Sequence, residues 1–203
     1  VTVIDAAKAL GRDDPEAASV VVAALRAEGV TILENAPVVN VSGTTGDITV
    51  ELKDGTKVHG TDLLVAVGRI ANTDNLDVEK AGIERNRAGI VVNAALRSSN
   101  RRVYAIGDAA GGMQFTHVAS YHAGVLIRSM LFGLPAKAAS HHIPRATYTD
   151  PELAQIGMTE AEAFDAHGDA VTVSRAEMSD NDRAIATGRT DGGGFIKVMI
   201  VKN

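Results

Sequence analysis

The 203-residue sequence predicts an α/β fold, and two patterns carry that expectation. A strand, a capped helix and a second strand follow one another between Val1 and Glu34, the order that makes a parallel βαβ unit. Two nearly continuous apolar runs, Leu63 to Val67 and Val103 to Ile106, each close on a glycine, as expected of strands buried on both faces. Beyond Lys137 the pattern changes to an extended segment, a capped helix and two strands, which marks a boundary there.

Taken in order, Val1 to Asp5 alternates as a strand. Asp14-Pro15-Glu16 then supplies an N-cap, a proline at the first helical position and an acid in the first turn. The helix runs to about Glu28, keeps Ala18, Val21, Ala24 and Leu25 on one face, and stops at Gly29, which suits a left-handed position. Val30 to Glu34 is the next strand. Val38 to Val41, Ile48 to Leu52 and Thr56 to His59 read as an antiparallel meander, with Asp54-Gly55 as the last turn. Leu63 to Val67, closed by Gly68, is expected to return to the parallel sheet. Ala71 to Asn86 reads as a loop with a short helical piece, Gly89 to Val92 as a strand, and Val103 to Ile106 as a strand ending at Gly107-Asp108.

Thr116 to Phe132 has helical spacing through Val118, Tyr121, Val125, Ile127 and Leu131, with Gly133 and Pro135 as its stop. Pro135 to Ser140 is a connection, placing a boundary near Lys137. Tyr148 to Gly157 is extended, and Thr159-Glu160-Ala161-Glu162 is a capping box opening a helix to about His167, with Gly168 after it. Ala170 to Met178 and Phe195 to Val201 are strands flanking a turn at Gly192 to Gly194. The second has no later partner, so the sheet reads as unfinished.

Composition excludes several functions. Twenty basic against 25 acidic residues give a net charge of −5, which disfavours a dedicated nucleic-acid-binding domain. With 45% hydrophobic and 22% charged residues the chain sits among globular proteins, away from disorder. The absence of cysteine removes disulfides and thiolate metal sites. No apolar stretch approaches the roughly 18 residues of a membrane span, and the opening lacks a signal-peptide pattern, so a cytoplasmic protein is expected. An opening without Met that reads at once as a strand suggests that the natural protein begins earlier, and the chain is read as a segment.

Asp108 is the most informative position, because an acid at the carboxyl end of a buried strand, before a loop and a helix, lies where open α/β sheets bind ligands. Its carboxylate would hold sugar or polyol hydroxyls, and amides opening the helix near Thr116 and His117 would favour a phosphate or an electron-rich carbonyl. The alternative is that Asp108 caps a turn and Gly107 permits a tight bend. Asp5 ends a strand, and an acid ending the second strand of a Rossmann unit can bond a ribose 2′-hydroxyl and favour NAD over NADP; a plain strand-end acid is the alternative, since the G-x-G-x-x-G turn expected about 20 residues upstream is not in the sequence, nor does one occur later. His117 and His122 are five apart, and His141-His142 sit in a connection without a carboxylate cluster, so no metal centre is expected. No G-x-S-x-G elbow is present, and Arg183 reads as a surface cation.

The whole chain resembles the flavin-dependent pyridine nucleotide-disulfide oxidoreductases, the group that includes dihydrolipoamide dehydrogenase, glutathione reductase and mercuric reductase. Four segments in order carry the likeness: Asp62-Leu63-Leu64-Val65-Ala66-Val67-Gly68-Arg69 with Asn72-Thr73; Val103-Tyr104-Ala105-Ile106-Gly107-Asp108; Tyr148-Thr149-Asp150-Pro151-Glu152 through Gly157-Met158-Thr159-Glu160; and Asn181-Asp182-Arg183-Ala184 with Gly194-Phe195. Gln114-Phe115-Thr116-His117-Val118-Ala119 looks closer to the mercuric-reductase-like branch than to the lipoamide branch.

The resemblance implies incomplete Rossmann-like nucleotide-binding parts followed by an incomplete α+β dimerisation domain. Residues 1 to 68 would be the later part of the NAD(P)-binding domain, 69 to 137 the returning part of the FAD-binding domain, and 138 to 203 the start of the dimerisation domain. Asp108, with Gly107, would match the acid on the flavin ribityl chain, and the backbone of Phe115, Thr116, His117 and Val118 would face the pyrimidine end of the isoalloxazine. Gly68 would approach the nicotinamide nucleotide, and Asp5 would match the acid associated with NADH preference.

The FAD fingerprint, paired redox cysteines, first NAD phosphate turn and C-terminal His-Pro segment of the family are absent, and Ala71 stands where Pro is common. The intact protein is thus expected to be a homodimer that passes hydride from NAD(P)H to FAD and onward to a disulfide, quinone or metal ion, a cycle that this segment alone would not complete. The rival expectation is a non-catalytic dimerisation or interaction module that keeps nucleotide-binding features without turnover.

Overall fold

A computed structural model describes residues 1–190 and 193–202. By contact the chain divides into two compact units, residues 1–64 with 144–203, and residues 65–143.

The first unit opens as predicted. Strand β1 (Thr2–Ile4) and strand β2 (Thr31–Leu33) pair in parallel, with helix α1 (Pro15–Ala27) as their crossover. Asp14 caps α1, accepting from the N–H groups of Glu16 and Ala17, and Gly29 adopts φ +89° just past its end. The meander follows as β3 (Val38–Thr44), β4 (Asp47–Leu52) and β5 (Lys57–Gly60), antiparallel in that order. The apolar face of α1 is buried through Ala18 and Val21, which cluster with Leu153 from the later part of the chain.

Two predicted strands are corrected in the residues between the meander and α2. Leu63 to Val67 forms no strand and is exposed rather than doubly buried, Leu64 at 89% and Val67 at 93%. An apolar run becomes a buried strand only where a sheet pairs with both its edges and layers cover both its faces. Among the described residues no strand pairs with it. Val103 to Ile106 is extended but makes only one bridge, Tyr104 with Arg97. The neighbouring segment is too short to extend the ladder, because Leu96 turns into the left-handed region at φ +60°.

The second unit carries the small hairpin β6 (Arg85–Asn86) and β7 (Gly89–Ile90), shorter than the strand predicted for Gly89 to Val92. Two 3-10 turns, Asp74–Leu76 and Val78–Ala81, are the helical piece expected in the preceding loop. Val78, Ile83, Ile90 and Ala105 form the core of this unit. Helix α2 (Thr116–Phe132) has the predicted bounds and ends at Gly133 in the left-handed conformation.

The chain then returns to the first unit through β8 (Pro144–Thr147) and β9 (Leu153–Ile156), an antiparallel pair. Strand β8 carries no alternating apolar signal, and its proline is tolerated at the first strand position. Helix α3 (Glu160–His167) opens with both bonds of the Thr159/Glu162 capping box, as predicted. Strand β10 (Val171–Glu177), a short helix α4 (Asp182–Ala186) and strand β11 (Phe195–Val201) complete the chain, with β10 and β11 antiparallel. Of the predicted turn at Gly192 to Gly194, Gly192 lies outside the described residues. Among the described residues no helix is long and apolar enough to cross a membrane.

Candidate functional site

Most of the predicted positions gather at the N-terminal half of α2. The extended segment ending at Ile106 turns through a 3-10 turn, Gly107–Ala110, closed by the Gly111 N–H donating to the Asp108 carbonyl at 3.0 Å. Gly107 makes this turn possible in two ways. Its φ is +58°, a conformation that penalises a side chain, and a Cβ there would sit 2.8 Å from the Ala119 Cβ on α2. Its N–H also donates to His122 Nδ1 at 3.1 Å, so the turn packs closely on the helix at Ala119 and is bonded to it at His122, about one turn further on.

The Asp108 side chain is exposed and makes no hydrogen bond or ion pair within the described structure. A carboxylate used only to cap a turn would accept a nearby N–H. This one leaves both oxygens available to an external hydroxyl donor, which fits a polyol.

Four consecutive residues at the mouth of α2 divide by role. Val118 is core, 2% exposed, and presents only its backbone. Thr116 and His117 are exposed, and the His117 ring stacks on half-buried Phe115 at 5.2 Å and 9° between planes. Phe115 is the N-cap position but contributes no side-chain cap; its carbonyl accepts from Val118 and Ala119. The positive end of the helix dipole therefore lies at Thr116 and His117, suited to negative charge.

Arg69 donates from Nη1 to the Gln114 carbonyl at 3.0 Å, tying the segment that holds Gly68 to the entrance of α2. Gly68 itself has φ +119° with open space where a Cβ would be, so its constraint is conformational rather than steric. Neither the Arg69 tie nor the His122 acceptor was legible as such in the sequence, since both bonds join segments far apart in the chain.

Asp5 belongs to the first unit. It follows β1, and its Oδ1 accepts the Ala7 N–H at 2.8 Å, which makes it a turn former with one carboxylate oxygen left over. The clefts in that unit, about 380 Å³ beside α1 and about 600 Å³ beside β2, are lined by residues such as Lys8, Leu10 and Glu34, or Asn35 and Lys53. Neither Asp5 nor Asp108 lines either of them. Among the described residues no group of three His, Asp or Glu side chains gathers to hold a metal.

Residues 1–123 match the profile of the pyridine nucleotide-disulphide oxidoreductases, and residues 143–203 match the dimerisation domain of the same group. The chain belongs to the pyridine nucleotide-disulphide oxidoreductase family. It is similar to a dihydrolipoyl dehydrogenase of Bacillus subtilis, 38% identical over 137 residues covering 68% of this chain and 29% of that protein. It is also similar to a mercuric reductase of Acidithiobacillus ferrooxidans, 34% identical over 202 residues, 98% of this chain and 36% of that protein. Among solved structures, the HOCl-induced flavoprotein disulfide reductase RclA of Escherichia coli, in a Cu(II) complex, superposes with a TM-score of 0.87 at 28% identity. That match covers all of this chain and 46% of RclA. The chain thus spans between about a third and half of the length of these family members. Its α/β architecture is that of the family's nucleotide-binding and dimerisation parts.

Proposed function

We propose that this chain supplies part of an FAD-dependent oxidoreductase that passes hydride from NAD(P)H to FAD and onward to a disulfide, quinone or metal-ion acceptor. In this reading residues 1 to 68 belong to the NAD(P) domain, 69 to 137 to the FAD domain and 138 to 203 to the dimerisation domain of a cytoplasmic homodimer. Family membership and the mixture of dihydrolipoyl dehydrogenase and mercuric reductase relatives support it.

The observation that carries the reading is the Asp108 carboxylate, exposed and without a protein partner on a turn pinned to α2. The turn holds the backbone that carries this carboxylate, and both carboxylate oxygens are open to hydroxyls donated by a polyol chain. The backbone from Phe115 to Val118 would hold the carbonyl-bearing edge of the ring system, with the helix dipole favouring the charge gained on reduction. FAD, when bound, supplies the hydride-accepting chemistry. Gly68 would border the nicotinamide nucleotide, and the free oxygen of Asp5 would meet a ribose hydroxyl.

The test is flavin content in the complete protein. Asp108→Ala is expected to reduce the bound flavin absorbance after gel filtration, with the dissociation constant raised about tenfold or more, as for a lost hydrogen bond to a charged group. Unchanged flavin content in D108A overturns the assignment, and a colourless wild-type protein that still dimerises favours the non-catalytic module.

A further inference from the structure

The contact that fixes Asp108 lies on the far side of Gly107. Because the Gly107 N–H donates to His122 Nδ1, that nitrogen carries a lone pair and the ring proton sits on Nε2. The ring is half-buried, and Gly107 cannot shift toward α2, since Ala119 already blocks the position where a Cβ would stand. A proton on Nδ1 would replace an acceptor with a donor facing another donor. The turn would then lose this bond to the helix, and the Asp108 carboxylate would be free to reorient.

We infer that His122 is a positioning residue, acting through the Gly107 N–H to hold the Asp108 carboxylate where it meets the flavin polyol, and that protonation of Nδ1 releases this hold. The inference rests on the reading of Asp108 given above. Burial holds the His122 ring below the usual histidine range, so the neutral acceptor form prevails near neutral pH.

Tyr121 on α2 is the titratable group whose ring lies against His122; His142 and then His141 are reached through Tyr121, and Asp108 follows Gly107 in the chain. Tyr121 lies 5.8 Å from His122 and 4.9 Å from His142, and its hydroxyl accepts the Ala139 N–H. A substitution at His122 alone leaves all of these in place, so any pH dependence that survives it belongs to them.

The experiment measures FAD affinity of the complete protein by ultrafiltration between about pH 8 and about pH 5, carried below the ordinary histidine range because burial lowers the His122 pKa. Wild type is expected to lose affinity about tenfold toward the acid end, the size of one lost hydrogen bond. His122→Asn, whose Oδ1 stands where Nδ1 stood and accepts the Gly107 N–H at every pH, is expected to retain flavin with a flat profile, and His122→Ala to bind weakly throughout. Because H122A risks misfolding, the ¹⁵N shift of His122 Nδ1 in the wild type is a second measurement: an unprotonated Nδ1 at pH 8 supports the inference. A protonated Nδ1 at pH 8, or an H122N profile that follows wild type, overturns it. D108A separates the two failures. If D108A keeps its flavin, the reading of Asp108 is wrong. If D108A loses flavin while H122N tracks wild type, only the role of His122 falls.

Discussion

Replacing Lys197 by Met is expected to destabilise the first unit by about 3 kcal/mol. Lys197 projects from β11 into a knot of carboxylates, 2.6 Å from Asp14 Oδ1, 2.8 Å from Glu160 Oε2 and 3.1 Å from Glu16 Oε2. The Lys197 and Asp14 side chains are 8% and 9% exposed, so removing the ammonium strands a buried anion, a change that costs about 3 to 5 kcal/mol. Glu16 and Glu160 are substantially solvated and recover most of what they lose, which places the expectation at the lower end. Met keeps the hydrocarbon stem, so the loss is electrostatic rather than a cavity.

In a chain of this size 3 kcal/mol corresponds to a fall in Tm of about 6 to 12 °C, readable by calorimetry. A double-mutant cycle with Asp14→Asn isolates the pair, because Asn still caps α1 through Glu16 and Ala17; the expected coupling is about 2 kcal/mol. The pH dependence has a definite sign. Burial raises the Asp14 pKa, but the bond from Lys197 and the N–H of Glu160 outweigh it and hold the carboxyl below its ordinary value, so its contribution is present above about pH 4 and lost as pH falls through the folded value. Burial lowers the Lys197 pKa, but bonds to Asp14, Glu160 and Glu16 outweigh it and raise the ammonium above its ordinary 10.5. Its contribution is therefore complete below that value and lost as pH rises through the folded one. The difference between wild type and K197M should be level from about pH 5 to 10 and shrink at both ends. A K197M protein within about 0.5 kcal/mol of wild type at pH 7, or a coupling near zero, refutes the argument.

Two further substitutions bear on the candidate site. Gly107→Ala meets both the left-handed φ and the Ala119 Cβ, and should cost about 1 to 3 kcal/mol in denaturant melts while lowering flavin retention; a stable G107A protein with full flavin content would show that the turn tolerates a side chain. Asp5→Asn keeps the acceptor for the Ala7 N–H but removes the charge, so the NADH over NADPH ratio of kcat/KM in the complete protein should fall about tenfold at unchanged thermal stability; an unaltered ratio removes Asp5 from the nucleotide site.

The elements that were legible in the sequence are those whose signals are local. Asp14-Pro15 and the Thr159/Glu162 box fixed the starts of α1 and α3, and glycines after the last turn fixed the ends of α1 and α2, because caps are satisfied within a few residues. Asp108 and the mouth of α2 stood out because their motif is contiguous. Strand status was not local: Leu63 to Val67 and Val103 to Ile106 have apolar sequences but lack the partners that would make them ladders. Strand β11 inverts the usual reading, with Ile196, Val198 and Ile200 exposed and Lys197 turned inward.

The sequence by itself determined helices α1, α2 and α3, the meander, the family and the identity of the acid at position 108, since each is written in neighbouring residues; the short helix α4 was not predicted. Tertiary structure alone decided that Lys197 is buried among three carboxylates, that Arg69 reaches Gln114, and that His122 accepts the Gly107 N–H. These bonds join atoms separated by 15 to 183 positions, and no local pattern records a partner brought close only by folding.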